Sequence, residues 1–333
     1  MSLTLGLVLA VTLLATCFAA SNGFHDASNA VATSIATRAL TPRIALVLAT
    51  VMNFAGAFLG TEVGRTVQET ITPARADHGL AILVAALVGA LAWNVITWWW
   101  GCPSSSTYAL VGGLVGAAVV GDADVAWSHL GLVVLVPLVL VPVGGFVLAV
   151  LMMTAVQWSF RRQPVGRMHR GFTAAQTVSA AAMALGHGLQ DAQKSMAVVV
   201  LALVTAGYAD ADDAVPWWVI LGAATAMAAG TWAGGWRIIR TLGERITDLD
   251  PPRGFTAESI GSAALYAGVL FDAPVSSTHA ITSAVAGAGA TRRLSAVRWG
   301  AVRSILGVWL VTLPAAAAVA AGCYGLLVLL LPV

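Results

Sequence analysis

Two polar motifs occur twice in this chain, about half its length apart, and every copy is set in apolar sequence. Asn22-Gly23-Phe24-His25-Asp26-Ala27-Ser28-Asn29 returns in altered form as His187-Gly188-Leu189-Gln190-Asp191-Ala192-Gln193-Lys194. Pro103-Ser104-Ser105-Ser106-Thr107 is answered downstream by Pro274-Val275-Ser276-Ser277-Thr278. A chain written this way folds as two related halves, each bringing one acid motif and one hydroxyl motif to a shared polar site.

The surroundings of that site are set by composition. Of 333 residues, 59% are hydrophobic and only 10% charged. A soluble fold of this size has no use for so much apolar surface, so the solvent for most of the chain is lipid. Apolar runs fall at 3–20, 44–61, 80–100, 108–120, 130–156, 172–186, 195–206, 217–236, 256–271, 280–290 and 299–332. Some reach the roughly 20 residues that a membrane helix needs. Others, beside the motifs, are half that length. The expected fold is an all-α polytopic membrane protein with discontinuous or re-entrant helices, broken at all four motifs, and with no soluble domain. Residues 1–20 resemble a signal peptide but lack a preceding Lys or Arg, so they are read as a first membrane helix. Cys17, Cys102 and Cys323 have no metal-ligand spacing and are expected to be buried small hydrophobes.

Charge orients the loops. Most of the 17 Lys and Arg residues crowd four of them: Arg38 and Arg43; Arg161, Arg162, Arg167 and Arg170; Arg237, Arg240, Arg245 and Arg253; Arg292, Arg293, Arg298 and Arg303. Loops 62–79, 121–129 and 207–216 are acidic by contrast, although 62–79 also holds Arg65 and Arg75. The positive-inside rule puts the four basic loops in the cytoplasm and the acidic three outside. Corresponding loops of the two halves then lie on opposite sides. The expectation is an inverted-topology repeat with an external N-terminus: residues 1–160, a short basic cytoplasmic loop at 161–171, and residues 172–333. Ala55-Gly56-Ala57-Phe58-Leu59-Gly60 also matches Ala229-Gly230-Thr231-Trp232-Ala233-Gly234, small residues that permit close helix packing.

Few ionisable residues remain inside the apolar runs: Asp26, Asp191, Lys194, Glu258 and Asp272, with His25, His187 and His279. A charge at mid-bilayer costs roughly 2.5–3.5 kcal/mol on insertion scales, so each must pair, protonate or bind something. Asp26 and Asp191, in the same setting in both halves, are candidates for cation coordination or proton carriage, with a helix-tying carboxylate as the plain alternative. Asn29 adds a hard amide oxygen. Lys194 stands at the equivalent place and can fill the space of a cation, neutralise Asp191, attract an anion, or form a structural pair. In the other motif, Pro suits a first helical turn. The following Ser105, Ser106, Thr107, Ser276, Ser277 and Thr278 offer hydroxyls and free N–H groups at a helix start, which is an anion site. Ordinary Ser capping is the competing reading. His25 and His279 adjoin the motifs and can titrate near neutral pH.

These four motifs, in this order and across essentially the whole chain, resemble the paired signatures of the inorganic phosphate transporter (PiT) family. The resemblance implies a secondary active symporter that moves inorganic phosphate, in two inverted repeats and as a homodimer in the plasma (inner) membrane. It places phosphate on Ser105, Ser106, Thr107, Ser276, Ser277 and Thr278. It places the coupling cation, possible sodium included, at Asp26, Asn29 and Asp191. His25, Gln190, Lys194, Glu258 and His279 support these groups. No cofactor beyond a co-transported proton or sodium is implied, and no nucleic-acid partner. The chain departs from the family pattern in three respects. His25 and Gln190 precede the acids where Asn is usual, Tyr108 stands where His is common, and the central insertion is reduced to 159–171. The Gln193-Lys194 ending looks most like bacterial members that use protons, some of which carry a metal–phosphate complex.

Three rivals share the composition. A sulfate permease of the same fold would take a similar tetrahedral anion, but phosphate can keep a proton and donate a hydrogen bond to an acceptor such as Asp26 or Asp191. A passive anion channel would also fit. An intramembrane hydrolase could draw on Ser277, His279 and Asp272, yet the first half has Tyr108 and Gly101 in the last two places. The expectation is that the chain is not an enzyme.

Overall fold

The computed structural model describes residues 2–60, 71–72, 76–210 and 212–330. Its helices are α1 (Leu3–Ala36), α2 (Pro42–Gly56), α3 (Ala76–Trp100), α4 (Ser106–Val120), α5 (Val136–Ser159), α6 (Val165–Thr205), α7 (Trp217–Ala233), α8 (Trp236–Arg240), α9 (Pro251–Leu270), α10 (Ser277–Ala290) and α11 (Trp299–Leu330). A helical turn at Trp127–Leu130 and a π-helical stretch at Gly131–Leu135 lead into α5, and another π-helical stretch, Thr241–Arg245, follows α8. Among the described residues the only strand pairing is Ile71–Thr72 with Asp124–Val125. The segments Leu3–Ala36, Asp77–Trp100, Val136–Phe160 and Trp299–Leu330 are long and apolar enough to cross a membrane. Most of loop 62–79 lies outside the described residues; at its end, Asp77 Oδ1 accepts a hydrogen bond from Thr4 Oγ1 at 2.9 Å.

The acid motifs do not break their helices. α1 runs unbroken through Asn22–Asn29 and α6 through His187–Lys194, so the runs 172–186 and 195–206 belong to one helix of 41 residues. Most polar side chains there find partners on other helices, although Ser28 donates to the His25 carbonyl at 3.2 Å, and the glycines serve helix contact instead of turning.

Of the four motifs, the two hydroxyl motifs are the ones that interrupt their helices. α3 and α9 each stop at a left-handed residue, Gly101 (φ 67°) and Asp272 (φ 50°). The next N–H reaches back across the end of the helix, Cys102 to the Thr97 carbonyl at 2.9 Å and Ala273 to the Gly268 carbonyl at 2.8 Å. This is the usual closure of a helix C-terminus. Pro103 and Pro274 follow in the connections, and α4 and α10 begin three residues later, so the prolines do not occupy the first helical turn as the motif suggested. At 15 and 14 residues, α4 and α10 are about 22 Å long, short of the roughly 30 Å hydrocarbon thickness. Neither is long enough to cross by itself.

The two halves exchange packing partners. α1 lies on α7 and α2 on α6; α4 lies on α11 and α10 on α5. At the first two crossings the backbones touch. A methyl on Gly23 would fall 3.0 Å from the Thr231 nitrogen, and one on Gly188 2.8 Å from the Asn53 carbonyl carbon. Gly56 and Gly230 face α6 and α1 as tightly. Small residues are needed for helices to approach so closely.

Two apolar clusters flank a polar waist. One gathers Phe18, Leu83, Leu114, Met196, Met227 and Tyr324; the other gathers Val31, Leu46, Met183, Leu242, Ile281 and Trp309. α1 passes from the first cluster to the second, and α6 from the second to the first. α4 and α10 start at the waist and enter opposite clusters. Large apolar side chains such as Leu140, Val143 and Leu310 are exposed on the outside of α5 and α11, where lipid replaces a partner. None of the cysteines is buried, contrary to expectation: Cys17 is exposed on α1 and the other two are half-buried. In lipid, an apolar thiol has no reason to turn inward.

Candidate functional site

α1 brings His25, Asp26 and Asn29 to the waist, and α6 brings His187, Gln190, Asp191 and Lys194. The α4 and α10 tips bring Ser105–Thr107 and Ser276–His279. Every one of these residues is at most 3% exposed.

The serines at each tip divide the work. Ser105 and Ser276 are N-caps, whose hydroxyl oxygens accept the backbone N–H of Tyr108 at 3.4 Å and of His279 at 3.3 Å. The capping reading of the motif therefore holds for these two. The residues that follow reach the acids. Ser106 Oγ lies 3.1 Å from Asp26 Oδ2 and 2.9 Å from Asn22 Oδ1. Its counterpart Ser277 donates to Asp191 Oδ2 at 3.3 Å. Thr278 Oγ1 donates to Asp26 Oδ1 at 3.1 Å. Asn29 Nδ2 donates to Ser277 Oγ at 3.1 Å and Thr278 Oγ1 at 3.0 Å. Lys194 donates to Asp191 Oδ1, and to Thr107 Oγ1 at 2.5 Å. Asn29 and Lys194, the last residues of the two acid motifs, thus reach hydroxyls on the opposite half's tip.

His187 is the residue whose role the motif comparison missed. Its Nε2 lies 2.8 Å from Asp191 Oδ2 and 3.8 Å from Asp26 Oδ2. Its Nδ1 is 3.2 Å from Asn53 Oδ1, and Asn53 in turn donates to Thr231 at 2.9 Å. The available signal was its spacing, since a residue four before Asp191 shares its helix face. Asp26, His187 and Asp191 each offer one ligand atom, all within 4.8 Å of one another. The Asn29 Oδ1 oxygen is buried without a protein partner. Carboxylate and amide oxygens are the donors that hard cations favour, so these residues fit a coupling ion.

The supporting residues separate into different jobs. His25 Nδ1 lies 3.1 Å from Asp26 Oδ1, and Nε2 lies 3.1 Å from Thr97 Oγ1 and 3.4 Å from Ser104 Oγ. It ties the acid to the end of α3. Gln190 Nε2 donates to the carbonyls of Leu265 at 3.1 Å and Ala273 at 3.3 Å, bracing the second break. Among the described residues His279 forms no hydrogen bond through its ring; it stacks on Trp309 at 3.7 Å between centroids and faces Tyr108 at 5.0 Å. Its ring is aromatic packing beneath the α10 tip. Ser277 and His279 are accordingly not a nucleophile–base pair, and Asp272 is the left-handed residue that ends α9.

Glu258 heads a second polar cluster further along α1. Its Oε1 accepts from Thr33 at 2.5 Å, Ser34 at 2.6 Å and Gln176 Nε2 at 3.1 Å, and its Oε2 accepts from Ser179 at 2.5 Å. Four donors from α1 and α6 converge on one carboxyl of α9. The position one repeat earlier is an ordinary core residue, Leu87, so this cluster has no counterpart in the first half.

Broken helices whose tips meet paired acids at a buried waist define a helical membrane transporter. A sequence model described as the phosphate transporter family matches residues 22–320, and the chain belongs to that family. A probable low-affinity inorganic phosphate transporter of Bacillus subtilis (strain 168) is 38% identical over 329 residues, covering 98% of this chain and 99% of that protein. One of Rhizobium meliloti (strain 1021) is 44% identical over 263 residues, with 78% of each chain covered. One of Mycobacterium bovis is 43% identical over 336 residues, covering 98% of this chain and 79% of that protein. A solved structure described as the sodium-dependent phosphate transporter shares the fold, with a TM-score of 0.84 at 24% identity over 98% of this chain and 100% of that one. The family and these relatives are transporters, not enzymes.

Proposed function

We propose that this protein is a phosphate symporter in which a co-transported cation, proton or sodium, binds at Asp26, Asn29 and Asp191 while phosphate binds between the tips of α4 and α10. The carrying observation is that the hydroxyls available to the anion are already shared with the acids: Ser106 and Thr278 with Asp26, Ser277 with Asp191. A hydroxyl has one hydrogen to give. While the carboxylate is bare, that hydrogen is held by a charged acceptor, a bond worth about 1.5–3 kcal/mol. Cation binding weakens the hold and frees the hydroxyl for phosphate, beside the free N–H groups of each tip. Anion and cation binding are then coupled through the same few atoms, and the coupling is reciprocal.

The architecture proposed around the site is a pair of inverted halves, 1–160 and 172–333, joined by the basic loop 161–171. The opposite passage of α1 and α6 between the apolar clusters supports it. The N-terminus is external, the loops around Arg38 and Arg161 face the cytoplasm, and the protein works as a homodimer in the plasma membrane. Movement of one half against the other opens the buried waist to each side in turn.

The test is phosphate uptake into proteoliposomes with sodium and pH gradients imposed separately. Accumulation above equilibrium under one gradient, competed poorly by sulfate, supports the reading. No uphill accumulation under either gradient, or equal competition by sulfate, sinks it.

A further inference from the structure

The two acid motifs end differently, and the difference falls at a definite place in the hydrogen-bond pattern. Residues related by the repeat make related contacts. Ser106 meets Asp26 as Ser277 meets Asp191, and Asn29 meets Thr278 as Lys194 meets Thr107. One contact is not reproduced. In the first set, Thr278 donates directly to Asp26 at 3.1 Å. In the second, the Lys194 ammonium donates both to Asp191 and to Thr107. It occupies the gap between hydroxyl and carboxylate that the other set closes by itself. Lys194 is fully buried, and among the described residues Asp191 is the one carboxylate that it pairs with.

We propose, building on the symport reading above, that Lys194 is a fixed cation of the second half. It fills the position beside Asp191 and Thr107 that a mobile ion would otherwise take, which narrows the site of that reading: the mobile cation placed at Asp26, Asn29 and Asp191 is bound from the Asp26–Asn29 side alone, and Asp191 is neutralised by the lysine. The physical reason is the cost of a bare buried carboxylate, which is met only by a close opposite charge. Asp191 has that charge on its own helix, three residues on, and a tethered ammonium does not leave with the substrate. Among the described residues Asp26 has no Lys or Arg partner. It faces the hydroxyls of Ser106 and Thr278 and the rings of His25 and His187. One turn on, the Oδ1 oxygen of Asn29 is buried and has no hydrogen-bond partner among the described residues. His187 lies near both acids, so it does not by itself distinguish the halves. The lysine does.

The test measures bound ²²Na and phosphate on purified protein, without transport. Wild-type protein is expected to bind no more than one sodium per chain, with phosphate binding dependent on a single cation. Lys194→Asn restores the pattern of the first half and is expected to bind one sodium more per chain. Its phosphate affinity should rise about tenfold from sodium-free to saturating buffer, within the usual range of coupling between sites. Lys194→Met, which removes the charge without supplying an oxygen, is expected to lose phosphate binding at every sodium concentration. Two sodium ions per wild-type chain overturn the proposal, and that measurement stands even if both variants misfold. An unchanged count in folded Lys194→Asn overturns it as well. Phosphate binding by the wild type in the same assay reports separately on the transport reading.

Discussion

Replacing Gly188 with Ala tests how far the site depends on the crossing of α2 and α6. The added methyl would lie 2.6 Å from the Asn53 Cα and 2.8 Å from its carbonyl carbon. Carbon atoms rest about 3.5–4.0 Å apart, so the two backbones must separate by about 1 Å. Overpacking of this kind costs about 1–3 kcal/mol. The displaced residue also holds the site, because Asn53 Oδ1 lies 3.2 Å from His187 Nδ1, whose other nitrogen is 2.8 Å from Asp191. A shift of about 1 Å takes the first contact beyond hydrogen-bonding range and frees the ring that faces both acids. Gly186→Ala is the control, since its methyl would meet Leu265 no closer than 3.3 Å, and against a side chain. The expected result is a lower thermal unfolding midpoint in detergent for Gly188→Ala and phosphate uptake reduced about tenfold or more, as misplacement by 1 Å does at other reacting sites. Gly186→Ala should stay near wild type in both. Wild-type stability and uptake in Gly188→Ala would refute the claim that this contact sets the geometry of the waist.

Asp26→Asn keeps the shape of the side chain but removes the charge and leaves one acceptor oxygen where Ser106 and Thr278 had two, a loss of about 2 kcal/mol or more; gradient-driven phosphate accumulation should disappear in proteoliposomes while the protein elutes normally on size exclusion. Glu258→Ala leaves the donors of Thr33, Ser34, Gln176 and Ser179 without their acceptor and should destabilise the protein by about 3 kcal/mol or more, read as a fall in the unfolding midpoint; Glu258→Gln, which keeps one acceptor oxygen, should lose less. Cysteines introduced singly into loops 38–43 and 207–216 of a cysteine-free background should react with an impermeant thiol reagent from opposite sides of the membrane. Labelling of both from one side would contradict the inverted arrangement.

The amino-acid sequence alone determined the solvent, the class of fold and the paired motifs. Those properties are carried by composition and by local repetition: 59% apolar residues in runs of helix length, and a Pro, any residue, then Ser-Ser-Thr written twice between them. The short, interrupted helices were legible for the same reason, because the apolar runs after Thr107 and Thr278 are too short to span. The tertiary structure decided which polar residue meets which. Asn29 and Thr278 are 249 positions apart, and Lys194 and Thr107 are 87 apart; no local periodicity records such pairs. For that reason the acid motifs looked like helix breaks, although their side chains are satisfied by other helices and α1 and α6 run straight through. Ser105 and Ser106 are adjacent and chemically alike, yet one caps its helix and the other faces an acid. His187 stood in view within its motif, and only the approach of α1 and α2 to α6 made it the residue between two carboxylates. Local chemistry sets which groups must be satisfied inside lipid; the packing of distant helices chooses their partners.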